Sequence, residues 1–319
     1  MRFFDIIDYG AVGEGKIHGN GEAFCYPQKA PNTDFVRKSQ TDSPARVVFF
    51  VGCRDVKVTD VTMIDPCSGW SYWFYNCDRI TVSRIVIDSN MYLLNTDGIH
   101  LTSCRDATVS DCKIKCGDDG SVLRAYGPLA DKPIPCERVT VTNCIIHSHC
   151  TGIRIGWQGD TVMCDAVFSN IVIRNTHTGI GIVFPNMEGR PAEHYNQTVK
   201  IQKIMFSNIV LDKILYKPID ICSFGEGTVE GIIEDITFSN ITSESSLYPR
   251  FKGNSTLLLK NITVSNAKFY IGRNKELEAE YPGKTVEKYL GGGFAQYPIF
   301  GNTENLVLDN VSFTDLKGE

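Results

Sequence analysis

The chain contains no hydrophobic run long enough to cross a membrane. Its longest apolar segments are as long as strands, whereas a bilayer-spanning helix needs about 20 apolar residues. It also has no cluster of lysine and arginine, and its net charge of −5 excludes the concentrated basic face that phosphate binding requires. We therefore expect neither a membrane protein nor a nucleic-acid-binding protein.

Signals for secretion and for metal binding are also absent. Residues 1–7 are interrupted by Asp5 and contain no long apolar core, so we expect either a cytoplasmic protein or a secreted one whose leader has been removed. The 12 cysteines form no short Cys-x-x-Cys motif, so we predict no metal and no cofactor. Reduced cysteines in the core or in turns are the favoured interpretation, and one or more disulfides are the alternative.

A five-residue pattern recurs along most of the chain. It runs from a β-branched or small residue through an apolar residue to Ser or Thr and then Asn or Asp, as in Val139–Asn143 and Ile236–Asn240, and its copies end 26 to 51 residues apart. Periods of this length in short β-rich units are typical of a solenoid. Apolar residues alternate with a period of two, and no segment keeps the spacing of three and four that a helix needs.

This repeat predicts an all-β protein built as a right-handed, single-stranded parallel β-helix. Each coil would carry two or three short strands, and successive coils would stack about 4.8 Å apart. The closing Asn or Asp would sit at a turn and stack on its neighbour in the next coil. We predict one domain over residues 1–319, with 1–47 as an N-terminal leading segment and loop and 272–300 as a C-terminal loop excursion, and we expect a monomer.

Three carboxylates lie about one repeat apart, Asp97 in Asn-Thr-Asp-Gly and Asp118 with Asp119 in Gly-Asp-Asp-Gly. Like charges on neighbouring coils cannot all ionise cheaply, so at least one pKa should rise. A protonated acid beside an ionised carboxylate is what hydrolysis of a glycosidic bond requires. Asp-Gly is also a common turn pair, but the second pair in register and the additional Asp118 favour the catalytic interpretation.

These motifs resemble glycoside hydrolase family 28, the polygalacturonases and their relatives. The specific matches are Asn95-Thr96-Asp97 and Gly117-Asp118-Asp119, and Phe4–Gly13 is similar to the first segment of many pectin-active β-helices. The resemblance implies a pectin lyase-like solenoid that hydrolyses O-glycosidic bonds in a polysaccharide or oligosaccharide containing galacturonic acid or rhamnose.

Catalytic roles also follow from the resemblance. Asp118 would be the general acid, and Asp97 and Asp119 would hold and deprotonate the attacking water, with inversion at the anomeric carbon. The spacing of adjacent coils, about 5 Å, taken alone favours retention. Inversion is therefore implied by the family resemblance and not by the spacing.

The sequence departs from the family pattern at its N-terminal end and at two places in the site. Only a few residues separate Phe4–Gly13 from Ile17–Gly21, which is similar to the family's Ile-Asp-Gly-x-Gly, so we expect a shortened N-terminal end. When the repeats are aligned on their glycines, Thr151 stands where the family has a histidine, and Gly181-Ile182-Val183 stands where it has Arg-Ile-Lys. In polygalacturonases the Arg and Lys of that signature bind the sugar carboxylate. Arg154, one coil earlier, and Arg124 could instead hold an acidic or a neutral sugar, because the planar guanidinium fork suits carboxylates.

We predict seven substrate-binding residues: Asn95, His100, Arg124, His149, Arg154, Trp157 and His177. The alternative for His149 and His177 is an ordinary hydrogen bond in a turn. Trp157 is the preferred aromatic wall, whereas Trp70 and Trp73 are interpreted as packing residues.

Two further functions remain open from the sequence. The missing histidine and Arg-Ile-Lys suit a carbohydrate-binding β-helix that has lost turnover. A polysaccharide lyase of the same fold would need a Ca²⁺ site or a basic catalytic residue such as Arg154. Loops at residues 126–137 and 185–198 would border the cleft in each case.

Overall fold

The computed structural model describes residues 15–38, 46–66, 69–125, 134–159, 161–184, 198–223, 230–281 and 297–316. These residues form 25 β-strands, one 3-10 helix (Gly21–Phe24) and one α-helix, α1 (Lys275–Glu280). The strands are, in chain order, β1 (Gly15–His18), β2 (Cys25–Tyr26), β3 (Val36–Arg37), β4 (Arg46–Val51), β5 (Arg54–Thr59), β6 (Val61–Ile64), β7 (Trp70–Tyr75), β8 (Asp78–Ser83), β9 (Val86–Asp88), β10 (Ile99–Thr102), β11 (Arg105–Ser110), β12 (Lys113–Cys116), β13 (Ser121–Ala125), β14 (Cys136–Thr142), β15 (Ile145–Ser148), β16 (Thr151–Gly159), β17 (Val162–Thr176), β18 (Thr178–Phe184), β19 (Thr198–Ile214), β20 (Ile219–Ser223), β21 (Glu230–Ser245), β22 (Arg250–Lys252), β23 (Leu257–Ile271), β24 (Ile299–Gly301) and β25 (Thr303–Asp315).

The strands wind into the predicted right-handed parallel β-helix. The first face is a nine-stranded sheet made of β4, β7, β10, β13, β16, β18, β20, β22 and β24. A fourteen-stranded sheet covers the other two faces, with β5, β8, β11 and β14 on one, β1, β6, β9, β12 and β15 on the other, and the long strands β17, β19, β21, β23 and β25 across both. All these pairings are parallel, and β2 and β3 form a separate antiparallel pair.

Apolar side chains that alternate along the strands fill the interior of the β-helix. In β14 and β21 buried residues recur at every second position, except that their spacing is three across positive-φ residues such as Arg138 and Asp235. Inward side chains from successive coils form one continuous apolar core in which like residues stack, as Phe168, Phe206 and Phe238 do at centroid distances of 5.0 and 4.8 Å. A single coil could not bury this face alone, so the coils stabilise one another.

The closing Asn and Asp residues form the predicted ladder. Asn143, Asn170, Asn208 and Asn240 each have φ near +55°, the left-handed region that asparagine tolerates better than other residues with a Cβ atom. Each side chain then bonds to the coil before it: the amide of Asn170 donates to Asn143, that of Asn208 to Asn170, and that of Asn240 to Asn208. The sequence signal of the repeat therefore comes from the turn as well as from the strands.

Two details differ from the sequence-based expectations. Coil formation begins earlier than residue 48, because Gly15–His18 already pairs in parallel with Val61–Ile64. A short helix, α1, does form, and Asn274 caps it by accepting a hydrogen bond from the backbone N–H of Leu277. It is one and a half turns long, too short for helical periodicity to reveal it.

None of the cysteines in the described residues forms a disulfide, and Cys67 lies outside those residues. Most of the two predicted cleft loops, residues 126–133 and 185–197, also lies outside them. None of the helices in the described part of the chain is long and apolar enough to cross a membrane. The extent of the domain, residues 1–319, stays a prediction.

Candidate active site

The first face brings the predicted carboxylates together. Ile99 of β10 pairs with Ser121 of β13, and Ser121 pairs with Ile153 of β16. This register is the one predicted from the glycine alignment. It places Asp97 and Asp119 at the same position of successive coils, where the first face begins.

Glycine at the next position allows the coils to approach. A Cβ atom on Gly98 would lie 2.2 Å from the carbonyl oxygen of Gly120, a contact that real Cβ atoms do not make. The backbone N–H of Gly98 donates to the carbonyl of Asp119 at 2.9 Å. Glycine in the Asp-Gly pairs therefore serves close stacking of the two acid-bearing coils.

Side chains of the Asn-Thr-Asp motif bind directly to the Gly-Asp-Asp motif. The Asn95 amide donates to Asp118 Oδ2 at 3.3 Å, and the backbone N–H of Gly117 donates to Thr96 Oγ1 at 2.9 Å. Asp118 Oδ1 accepts from the backbone N–H of Asp119 at 2.9 Å. These bonds fix the direction of the acids relative to each other.

Asp119 is held as an ionised carboxylate. Its Oδ1 accepts hydrogen bonds from Arg154 Nη2 at 3.0 Å and from the backbone N–H of Thr151 at 3.2 Å, while Arg124 Nη2 lies 4.0 Å from Oδ2. Burial acts to raise the pKa of Asp119, but the two guanidinium groups outweigh it and hold that pKa below its usual value.

Thr151 occupies the position where the family resemblance expects a histidine. Its Oγ1 accepts a hydrogen bond from Arg154 Nη2 at 2.6 Å, so Arg154 contacts both Thr151 and Asp119. The substitution therefore replaces an imidazole with an acceptor that orients an arginine toward the acid.

Asp118 has the opposite environment. Burial, followed by the charge of Asp119, raises the pKa of Asp118 to about 6, although Arg154 opposes the shift. Ser148 holds the backbone here, because its Oγ donates to the carbonyl oxygen of Asp118 at 2.6 Å. Neighbouring carboxyls with pKa values pushed apart are the arrangement that separates an acid from a base.

Asp97 is paired with a buried histidine. Asp97 Oδ2 lies 2.8 Å from Nε2 of His100, whose ring stacks on Trp70 at a centroid distance of 3.7 Å. Burial raises the pKa of Asp97 well above its usual value, and Asp118 and Asp119 add to the shift; burial and nearby arginines lower the pKa of His100. Both groups are therefore favoured in their neutral forms.

The Asp97→Asn variant is expected to be more stable than the wild type at pH 7.5 by a few degrees in Tm. Because the folded-state pKa of Asp97 lies above its unfolded value of about 4, its favourable contribution is complete below pH 4 and is lost as pH rises through the folded pKa. Thermal melting at pH 4.0 and 7.5 measures the difference, which should vanish at the lower pH.

A matched control is Asp60→Asn, which removes an exposed carboxylate whose pKa is lowered by Arg84. It should give no gain in stability at pH 7.5. An equal gain from Asp97→Asn at both pH values would show that the ionised carboxyl is not the destabilising group.

One cavity of about 440 Å³ opens between these side chains. Six of the predicted site residues line it, namely Asn95, Asp97, Asp118, Asp119, Arg124 and Arg154. The cavity is large enough for a sugar ring and has carboxyl and guanidinium groups on its walls. Its chemistry is that of a site for a polar, charged ligand.

Three further residues of the lining lie outside the predicted set: Arg46, Trp70 and Cys150. Arg46 pairs with Trp70 across β4 and β7, so both belong to the column that continues into Asp97. Extending the glycine alignment two coils toward the N-terminus would have found them.

His149 is not among the residues that line the cavity. Its ring packs between Tyr92 and Tyr281, at centroid distances of 5.0 and 4.2 Å, in a cluster formed where α1 docks beside the acid-bearing coils. The hydroxyl group of Tyr281 is within hydrogen-bond distance of the carbonyl oxygens of Ser148 and Asn175. The C-terminal segment therefore packs against the turn that supports Asp118.

Two other predicted histidines are also outside the lining. His100 is fully buried against Asp97, and His177 stacks on Tyr216 at 5.2 Å with its Nδ1 3.0 Å from Thr178 Oγ1. Contact of these histidines with a sugar stays a prediction. The side chain of Trp157 lies outside the described residues.

The described residues also include two groups of possible metal ligands. Asp118, Asp119 and Cys150 each offer one ligand atom within 4.8 Å of the others, and so do Glu137, Cys164 and Asp165. In the first group the Arg154 guanidinium already neutralises Asp119, so a cation would have to compete with a fixed positive charge.

Fold and site together define a parallel β-helix with an acid-lined cavity on its first face. A family model described as glycosyl hydrolases family 28 matches residues 1–280, and the chain belongs to this family. An exopolygalacturonase of Arabidopsis thaliana is 24% identical over 222 residues, which is 62% of this chain and 50% of that protein. A polygalacturonase of Persea americana is 24% identical over 287 residues, 86% of this chain and 57% of that protein.

Among solved structures, a hyperthermoactive exopolygalacturonase from Thermotoga maritima matches with a TM-score of 0.62 and 18% identity, over 83% of this chain and 55% of that one. At this identity the likeness shows the fold. The chain spans about half the length of the curated relatives it matches.

Proposed function

We propose that this protein is a glycoside hydrolase that cleaves O-glycosidic bonds in a pectic polysaccharide or oligosaccharide containing galacturonic acid or rhamnose. The observation that carries the proposal is the meeting of three carboxyls in one cavity, with the pKa of Asp118 raised to about 6 and that of Asp119 lowered. Membership of family 28 and the polygalacturonase names of the relatives support the substrate class.

Asp118 is the proposed general acid. It gives its proton to the glycosidic oxygen as the bond to the anomeric carbon breaks, so that the leaving sugar departs as an alcohol. Asp119 is the proposed base, because its guanidinium partners keep it ionised and able to take a proton from the attacking water. One water molecule is added across the broken bond, with its hydroxyl on the anomeric carbon. Asp118 and Asp119 then recover their protonation states by proton exchange with solvent.

Asp97 has a more limited role in this scheme. Burial and the other two acids favour its protonated form in the empty site, which suits a group that orients water or a sugar hydroxyl. The base function is therefore assigned to Asp119 in preference to an equal sharing between Asp97 and Asp119.

We retain inversion as the proposed stereochemical course. Asp118 and Asp119 have oxygens within 4.8 Å of each other, a short separation for carboxyls that must admit a water between them. Inversion needs the water to enter on the side of the sugar opposite Asp118, and the family assignment is its support.

A lyase that uses Arg154 as its base is the weaker alternative. Burial acts to lower the pKa of Arg154, but Asp119 outweighs it and keeps the guanidinium charged. A base must be able to lose its proton before it accepts another, so Arg154 is unsuited to that role. The carbohydrate-binding alternative differs from hydrolysis in predicting that no products are released.

Incubation with oligogalacturonides and with rhamnogalacturonan oligosaccharides should release new reducing ends without the ultraviolet absorbance of unsaturated uronates. Proton NMR during the first turnovers should show the inverted anomer before mutarotation. Unsaturated products would establish a lyase, and binding without any products across the panel would establish a binding protein. A retained anomer would make one of the acids a nucleophile.

A further inference from the structure

Two arginines converge on Trp70 at the end of the cavity nearest the N-terminus. The guanidinium carbon of Arg46 lies 3.3 Å from the centroid of the Trp70 ring, and that of Arg124 lies 5.0 Å from it. Arg46 comes from the coil before Trp70, whereas Arg124 reaches toward it from the coil that carries Asp119. We refer to Arg46, Trp70 and Arg124 as the arginine clamp.

Within the described ranges, the buried guanidinium of Arg124 makes fewer hydrogen bonds than such a group requires. Its residue is 5% exposed, and no side chain or carbonyl among the described residues accepts a hydrogen bond from it. Its nearest carboxylate oxygen, Asp119 Oδ2, is 4.0 Å away, and its Nε is buried without a partner. A buried donor without an acceptor destabilises the protein, and a charged donor does so more strongly than a neutral one.

Arg154, in the same cavity, makes the hydrogen bond to Asp119 that Arg124 lacks, although among the described residues Nε is buried without an acceptor in both arginines. Its Nη2 donates to Asp119 Oδ1 at 3.0 Å and to Thr151 Oγ1 at 2.6 Å. Arg154 therefore completes the acid pair, whereas Arg124 retains donors for another acceptor. We therefore expect the clamp, and not Arg154, to bind a carboxylate of the substrate.

Electrostatics within the clamp favour an anion. Burial lowers the pKa of Arg46 to about 10, with Asp97 opposing the shift and Arg124 adding to it. Burial also lowers the pKa of Arg124, and the charge of Arg154 adds to that shift, although Asp119 and Asp97 oppose it. A negatively charged group bound between two like charges would remove their repulsion and supply the missing acceptor.

We infer that Arg46 and Arg124, held against Trp70, bind the carboxylate of a uronate residue of the substrate. This inference deepens the proposed function, on which it rests. It places an acidic sugar on the side of the scissile bond that faces the N-terminal coils of the β-helix. The clamp begins two coils, about 10 Å, before Asp97, on the opposite side of the acids from Gly181–Val183. An uncharged sugar at that position would supply no carboxylate to the buried Arg124 guanidinium.

Binding to the Asp118→Asn variant tests the inference without turnover. Calorimetric titration with trigalacturonate and with its fully methyl-esterified form should show that the acid binds about 10-fold or more tightly than the ester. Adding Arg124→Met or Arg46→Met should remove most of this preference and leave the ester nearly unchanged. Arg124→Lys should restore part of it, because a lysine supplies charge without the bidentate fork.

Arg84→Met is the matched control, since Arg84 is exposed and pairs with Asp60 on the outside of the coils. It should leave both affinities unchanged. Melting temperatures establish that each variant is folded, and Arg124→Lys with Arg46→Met carries the test if Arg124→Met does not fold. Equal affinities for acid and ester, or equal losses for both ligands in the arginine variants, would overturn the inference.

The two proposals fail in different ways. If the wild type releases no sugar from any pectic glycan but the acid still binds through the clamp, the hydrolase assignment falls and the clamp stands. If the wild type is active and the arginine variants keep the full preference for the acid, the clamp falls and the hydrolase stands.

Discussion

Replacing Asp118 with asparagine is expected to lower kcat by a factor of about 10³ to 10⁴ while the fold is preserved. The amide has the shape of the carboxyl, and its oxygen can still accept the hydrogen bond from the backbone N–H of Asp119. It cannot transfer a proton to the glycosidic oxygen, so the leaving group would depart as an unprotonated alkoxide. Release of reducing ends from oligogalacturonides measures the loss, and thermal melting measures stability.

Two further observations make the Asp118 experiment decisive. Because Asp118 must be protonated to act and its pKa is about 6, wild-type kcat/KM should fall as pH rises above that value, and the residual activity of Asp118→Asn should not show this fall. Asp106→Asn, which removes an exposed carboxylate paired with Arg138, is the control and should keep normal turnover. Turnover near the wild-type level in Asp118→Asn would transfer the acid role to another carboxyl.

The fold was predictable because each coil repeats the same local physics. An apolar position every second residue and an asparagine that accepts a positive φ are both visible in a single sequence, and their recurrence predicts stacking. Helix α1 was not visible, because its six residues are stabilised by the Asn274 cap and by burial of Leu277. Such tertiary support leaves no periodic signal.

The candidate site was predictable to the extent that register determines it. Aligning the glycines correctly placed Asp97 and Asp119 on neighbouring coils, and Arg124 and Arg154 beside them. The direction of each arginine side chain was not predictable. Arg154 donates to Asp119, whereas Arg124 makes no such bond among the described residues. The two arginines differ by about 1 Å in their distance to Asp119, and residue spacing in the sequence cannot resolve so small a difference.

The histidines show a second limit of the sequence. His149 lies one residue from Cys150, which lines the cavity, yet its ring is held by Tyr281 from a segment more than 130 residues away. His100 occupies the outward face of β10, but Trp70 stacks on it and covers it. In both cases a long-range aromatic contact decides whether a polar side chain meets the ligand.

Arg154→Met is expected to lower kcat by a factor of about 100 or more, with a smaller change in KM. The guanidinium is the largest influence holding the pKa of Asp119 down against burial, so its loss should raise that pKa. The base would then become protonated at mildly acidic pH, and the acidic limb of the kcat profile should move to higher pH. Profiles of kcat and KM against pH measure both effects.

The variants around Arg154 separate a positioning role from substrate binding. Arg154→Lys keeps a positive charge near Asp119 and should restore part of kcat and most of the pH profile, whereas Arg138→Met, at an exposed ion pair, should change neither. A rise in KM with an unchanged kcat profile would place Arg154 on the sugar. The expected result would instead show that Thr151, at the position where the family has a histidine, still supports the catalytic acids. Thr151 and Arg154 together keep Asp119 ionised.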